Sequence, residues 1–337
     1  MKKTILTLSL IFSSLVLFAQ SEEETLNKWI TTYNDLSTQK NYDAMISNFE
    51  ACHAEVPTWD MAYYYKGMAE FNKQNYSQAL QDLSTFTQTN QTMNAAYFMM
   101  GKSCNALSQP NDALTYLTTY ISKEPNDKNG YMEQATSHLA LNQYAEYIED
   151  LKKVTSIDAS DKTAYKNMAS AYAILKDYNS AIGMYDKAIE LDASNASLYY
   201  ERATCKVALK TAESIAAALV DLNKSEELGN TDARLYSYKY TCCNALKDNQ
   251  GAIDACTKIL ESSPNDLRTL YNRGTKYYAL KKYKEAISDM NQVVSNEKVD
   301  AKTKLNALKT RYMCKKTLKD VKGAAADLEL INKLSGK

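Results

Sequence analysis

Residues 162–195 read KTAYKNMASAYAILKDYNSAIGMYDKAIELDASN, and their spacing decides the fold. Apolar residues fall at Tyr165, Met168, Ala169 and Tyr172, then at Ala181, Ile182, Tyr185, Ala188 and Ile189. Each set follows the i, i+3, i+4, i+7 spacing that gives a helix one apolar face. Between them lies a short polar turn, Lys176-Asp177-Tyr178-Asn179, and a second turn follows at Asp192–Asn195. The stretch therefore predicts helix, turn, helix, turn.

Working outward, the same stretch recurs every 34 residues. Trp29, Tyr63, Tyr97, Tyr131, Tyr165 and Tyr199 stand in register at that step. A second column runs Met45, Ala79, Ala113, Tyr147 and Ala181, and resumes at Ala218, Ala252 and Ala286 after one offset of 37. A third, three residues earlier, reads Tyr42, Tyr76, Pro110, Tyr144 and Tyr178 and returns at Tyr283. Gly67, Gly101 and Gly274 share a column with Ala135, Ala169 and Ala203, where a small residue lets the paired helix approach closely. Pro125 and Pro264 occupy the turn between units, where a helix must stop. A fixed period of this length is the signature of a stacked repeat architecture.

The pattern resembles the tetratricopeptide repeat (TPR) family. Unit 162–195 matches it at Tyr165, Ala169, Tyr172, Tyr178, Ala181, Tyr185 and Ala188, with Ala193 where the family carries proline. The resemblance covers about residues 26–337, in nine units starting near 26, 60, 94, 128, 162, 196, 233, 267 and 302. It implies an all-α fold, an α-solenoid wound as a right-handed superhelix, running through units one to six (26–230) and seven to nine (231–337) as one continuous array. The first unit has bulky Tyr33 and Met45 where small residues belong, as a terminal unit would. The sixth carries about three extra residues near Lys210–Ser214, and the ninth is the weakest in phase.

Composition agrees with helices and excludes several functions. Of 337 residues only 9 are Gly and 4 Pro, too few for turn-rich sandwiches or long flexible loops. Lys+Arg and Asp+Glu are 40 each, so no basic excess points to nucleic acid. The 26 tyrosines fall mostly at repeat positions, as rings packed between helices with the hydroxyl near the surface.

The N-terminus reads as an export signal. Lys2 and Lys3 precede an apolar stretch, Thr4 to Phe18, which is shorter than the roughly 20 residues that span a bilayer. Residues 1–19 are the expected signal peptide, cut after Ala19 despite Leu17 at the −3 position, with 20–25 a short lead-in. A retained anchor is the competing reading. The signal resembles those of Gram-negative bacteria, so the mature chain is expected in the periplasm or secreted, without a membrane span.

Chemistry finds little support. His53 and His138 read as packing or surface residues, and no His, Cys, Asp or Glu cluster has metal-ligand spacing. There is no phosphate loop or nucleophile elbow, and the acidic residues read as scattered over solvent faces. No cofactor, metal or enzyme activity is expected. Seven cysteines, Cys52, Cys104, Cys205, Cys242, Cys243, Cys256 and Cys314, form no regular framework and read chiefly as small buried hydrophobes. The sharper alternative is a disulfide between Cys243 and Cys256.

What remains is a surface. By the family pattern the first helices line a concave groove that binds a peptide or helix of a protein partner. Near the N-terminus that groove would present Met61, Tyr64, Tyr65, Met68, Phe71, Phe98, Met99, Lys102, Asn105 and Met132 as residues not needed by the core. Further along it turns polar, with Tyr200, Tyr238, Arg268, Tyr271 and Asn272. The expected function is a non-enzymatic interaction scaffold of the bacterial envelope. The alternatives are a glycan- or peptidoglycan-associated factor or a self-associating structural protein, including a homodimer.

Overall fold

The computed structural model describes residues 23–335; the expected signal peptide and its cut lie outside them. The described residues form helices and turns, with no strand among them. Contacts divide the chain between Ala164 and Tyr165 into two units. The first holds α1 (23–38), α2 (Tyr42–Glu55), α3 (Met61–Asn72), α4 (Tyr76–Thr89), α5 (Asn94–Ala106), α6 (Pro110–Lys123), α7 (Lys128–Ala140) and α8 (Tyr144–Ile157). Helix α9 (Lys162–Ile174) carries the division. The second unit continues with α10 (Tyr178–Leu191), α11 (Ala196–Leu209), α12 (Ala212–Glu227), α13 (Ala233–Ala245), α14 (Asn249–Ser262), α15 (Leu267–Ala279), α16 (Tyr283–Ser295), α17 (Ala301–Thr317) and α18 (Val321–Leu334).

Within each unit the helices pair as hairpins, and each second helix packs on the first helix of the next hairpin, as α4 does on α5 and α16 on α17. First helices also touch one another, α3 with α5, α5 with α7, α11 with α13 and α15 with α17. Each unit is therefore an α-solenoid whose first helices lie side by side on one face. The small column works as expected: a Cβ on Gly101 would stand 2.5 Å from Leu117 Cγ, and one on Gly67 2.7 Å from Leu83 Cγ.

One turn design closes the hairpins. A non-glycine residue takes a left-handed conformation at Lys40, Gln74, Ser108, Asn142, Lys176, Lys210, Lys247, Lys281 and Lys319, with φ between 54° and 69°. At Lys176 its N–H donates to the Ala173 carbonyl at 3.0 Å, and the next N–H, of Asp177, donates to Tyr172 at 2.9 Å. This is the Schellman closure of the first helix. Asp177 then caps the second helix, its side chain accepting from the Ser180 N–H. One residue thus ends one helix and starts the next, which is why three residues, 175–177, suffice for the turn.

These left-handed side chains carry a cost, because Cβ crowds the following carbonyl by about 1–2 kcal/mol and glycine does not. Lys176→Gly is expected to stabilise the protein by about 1 kcal/mol. A urea midpoint that rises with an unchanged slope would show it; a midpoint that falls would reject it.

The two irregular units have simple causes. In the sixth, Ala218 stands seven residues after the Thr211 cap, where Ala181 stands four after Asp177, so the extra residues are nearly one added turn at the start of α12. In the ninth, α17 is 17 residues long against 13 in α15, and that added turn is what disturbs the sequence phase.

The regular step of the tyrosine column also finds its reason in geometry. The hydroxyls of Tyr131 and Tyr199 each donate at 3.2 Å to a carbonyl six residues earlier, Pro125 and Ala193. Each ring packs on its helix while its hydroxyl ties down the preceding turn.

Candidate partner-binding faces

In the first unit the expected aromatic face is partly absorbed by the core. Tyr64 is 8% exposed and its ring lies 5.3 Å from Phe86. Tyr65 stacks on Phe49 at 5.1 Å and 10°, within an aromatic group that includes Tyr33 and Trp59. Met61, Met68 and Met99 are half-buried against the same core, and Met132 is half-buried on α7. The expectation that the core does not need these residues is corrected for Tyr64, Tyr65 and the three methionines. A first helix contacts its own partner, the hairpin before and neighbouring first helices, so its buried arc exceeds one stripe.

Phe71, Phe98 and Lys102 do come together. The Lys102 ammonium lies 5.8 Å from the Phe71 ring and 5.4 Å from the Phe98 ring, and 3.5 Å from Glu133 Oε1. Asn105 Nδ2 donates to the Glu133 carbonyl at 3.0 Å, and Ser137 Oγ donates to Asn105 Oδ1 at 2.7 Å. The result is a half-buried platform of two rings with a cation between them, braced from α7.

The second unit keeps a polar face. Tyr200 and Tyr238 meet edge to face at 5.8 Å across α11 and α13. Tyr271 packs half-buried against the core beneath α15. Ser237, Tyr240, Thr241, Arg268 and Asn272 line a cavity of about 210 Å³ with Cys256 and Asp266. Asp266 is occupied, since it caps α15 by accepting from the Arg268 and Thr269 N–H groups. Arg268 is exposed, and its guanidinium has no ion-pair partner among the described residues. Burial pushes the nearby Tyr240 hydroxyl above its usual range, with Arg268 opposing the shift. Its phenol therefore stays protonated, and the cavity offers donors to a ligand.

Cys243 and Cys256 are unbonded in the structure, as are the other five cysteines, and all seven are buried. Cys243 faces Asp248 and Gly251 at the start of α14, while Cys256 lines the cavity on the other flank of that helix. Burial pushes the two thiols up to about 11 and about 12.

A set of residues that sequence reading missed holds the hairpins shut. Asp82, Asp150, Asp221, Asp289 and Asp327 are buried on second helices, which corrects the expectation that acidic residues only cover solvent faces. Arg273 grips Asp289 through two bonds of 2.9 and 2.8 Å, and Arg311 grips Asp327 at 3.0 and 2.6 Å. Asp221 accepts from Arg202 at 2.9 and 2.6 Å and from Lys206 at 2.8 Å. Asp82 has Lys66 3.9 Å away, its Oδ1 accepts from Gln78 Nε2 at 3.3 Å, and its Oδ2 lacks a hydrogen bond. The signal was present: Asp82 and Asp150 are two periods apart, as are Asp221 and Asp289. The partners stand on the facing helix, out of reach of local spacing rules.

Asp150 pairs with His138 Nδ1 at 2.7 Å. Burial pushes its carboxyl up to about 6, against the lowering effect of the His138 hydrogen bond. The folded state therefore holds a proton that the unfolded chain has already lost above about pH 4. Stability owed to this group is expected to fall as pH rises from about 4 to 6 and then level. Carboxyl ¹³C titration should place Asp150 near 6, and Asp150→Asn should remove that share of the fall; an Asp150 midpoint near 4 would contradict it.

Comparison with known proteins places this architecture. A tetratricopeptide repeat family model matches residues 163–195 and 267–299. In those two segments the chain is similar to a tetratricopeptide repeat. Among solved structures it is similar to the C-terminal part of a TPR repeat-containing protein from Cytophaga hutchinsonii, at 18% identity and a TM-score of 0.62, over 72% of this chain and 98% of that one. It also matches YrrB, described as a TPR protein with an unusual peptide-binding site, at 23% identity and 0.48, over 57% and 97%. A third match is MamA from Desulfovibrio magneticus, at 15% identity and 0.48, over 51% and 97%. These likenesses concern the fold. Among the described residues no helix is long and apolar enough to cross a membrane.

Proposed function

We propose that this chain is a non-enzymatic scaffold whose first-helix faces hold a peptide or helix of a partner protein. The observation that carries this reading is the cavity beside α15, where an exposed, unpaired Arg268 stands over Tyr240, Thr241 and Asn272. Such a site suits an extended segment with a carboxylate at Arg268, which the guanidinium can hold through two hydrogen bonds. The Phe71/Phe98/Lys102 platform adds an amphipathic contact for an apolar side chain in the first unit. The reading includes an exported location in the cell envelope, supported by the signal-like first twenty residues.

Phe71→Ser with Phe98→Ser tests the platform. Capture of the partner is expected to drop at least about tenfold, because aromatic anchors of this kind commonly contribute 1–2 kcal/mol or more. Undiminished capture would remove the platform from the account.

A further inference from the structure

One column of the second helices changes character at the last hairpin. Leu83, Leu117, Leu151, Leu222 and Met290 occupy equivalent positions and are fully buried, whereas Leu328 is 43% exposed. Three of the buried ones share clusters with the next first helix: Leu83 with Ala96 and Met100, Leu222 with Leu235, Met290 with Ala307 and Leu308. The outer face of α18 is thus built as a helix-receiving face. Among the described residues it receives none.

Its surroundings state what would fit. Val321 is 79% exposed, and a groove of about 320 Å³ runs between Tyr312, Val321, Ala325 and Leu328 with Lys316 and Lys319 at its rim. Over 301–334 nine lysines and arginines face three acidic residues. Asp327 engages Arg311 and Lys315, while Lys316, Lys319 and Lys322 are exposed without ion-pair partners among the described residues. A second copy fits poorly in either sense. Two α18 faces would bring like charges together. The α1 of another copy offers exposed Lys28 where first helices present buried Ala62, Ala96 or Leu198.

We propose that the outer face of α18 docks an amphipathic helix of a partner protein. Its apolar stripe covers Leu328 and Val321, and its flanking acidic residues meet Lys316, Lys319 and Lys322. The face lies on other residues than the Arg268 cavity, so this proposal stands or falls separately from the groove reading.

The test is a photo-cross-linking amino acid at position 328 of the full chain, in the cells that produce it, with adducts sequenced by mass spectrometry. Position 285, exposed on α16, is the control. The expected adduct maps to a helix-forming protein segment with apolar residues at i, i+3, i+4 and i+7 and acidic residues beside them. Its yield should fall at least tenfold with Lys316→Glu, Lys319→Glu and Lys322→Glu together. Should that variant melt early, Lys→Gln at the same three positions is read instead. Adducts to lipid, to a second copy or to a segment without acidic flanks would overturn the proposal. So would a yield no higher than at position 285, or one indifferent to the lysines.

Discussion

Asp221→Ala is expected to destabilise the second unit by about 3–5 kcal/mol. Asp221 accepts three hydrogen bonds, two from Arg202 and one from Lys206, and all three side chains are largely shielded from water. Removing the carboxylate from α12 leaves two neighbouring cations, one turn apart on α11, with only Asp186 still bound to Arg202 at 2.6 Å. The cost arises from the stranded charges rather than from the net value of the pair. Replacing the group together, as Arg202→Met, Lys206→Met and Asp221→Leu, is therefore expected to cost far less than Asp221→Ala alone. Urea unfolding of both variants checks this. Equal losses would mean that the hairpin is held by packing and that the buried ion group contributes little.

Arg268→Glu is expected to weaken partner binding about ten- to hundredfold while leaving the melting temperature within a few degrees. A hydrogen bond to a charged group is worth about 1.5–3 kcal/mol, which is about one to two decades in Kd. The guanidinium makes no ion pair that folding would lose, and its backbone N–H, not its side chain, meets the Asp266 cap. Reversal also sets a carboxylate against the segment's own, which adds repulsion to the lost contact. Lys258→Glu, on the exposed side of α14, should leave binding within about twofold, because rim and off-site charges act weakly.

The repeat architecture was legible because it is a one-dimensional property. Six aromatics in register and alternating helix-period stripes place the hairpins without any knowledge of contacts, and the offset at Ala218 locates the insertion within a few residues. Four of the buried aspartates recur at steps of two periods, yet an Asp among polar neighbours looks solvent-facing until the facing helix supplies an arginine, as Arg273 does for Asp289. Tyr64 and Tyr65 were misjudged for a related reason: one-helix periodicity cannot show that neighbouring first helices also touch. The left-handed residues at the turns were hidden because lysine, not glycine, fills most of them. The open face of α18 was obscured by the added turn in α17, which moves Leu328 out of the 34-residue register. Of the polar face, Arg268, Tyr238 and Asn272 were read from the family pattern, while Ser237 and Tyr240 joined Arg268 and Asn272 only through the cavity they share.

The measurement that tests the central claim most directly is cross-linked affinity capture of the full-length protein from its own cells, run in parallel for the native chain, Arg268→Glu and Lys258→Glu. The account predicts one dominant protein partner recovered by the native chain and by Lys258→Glu and lost with Arg268→Glu. Recovery that is unchanged by Arg268→Glu, or lost equally with Lys258→Glu, would contradict a binding face built on the first helices.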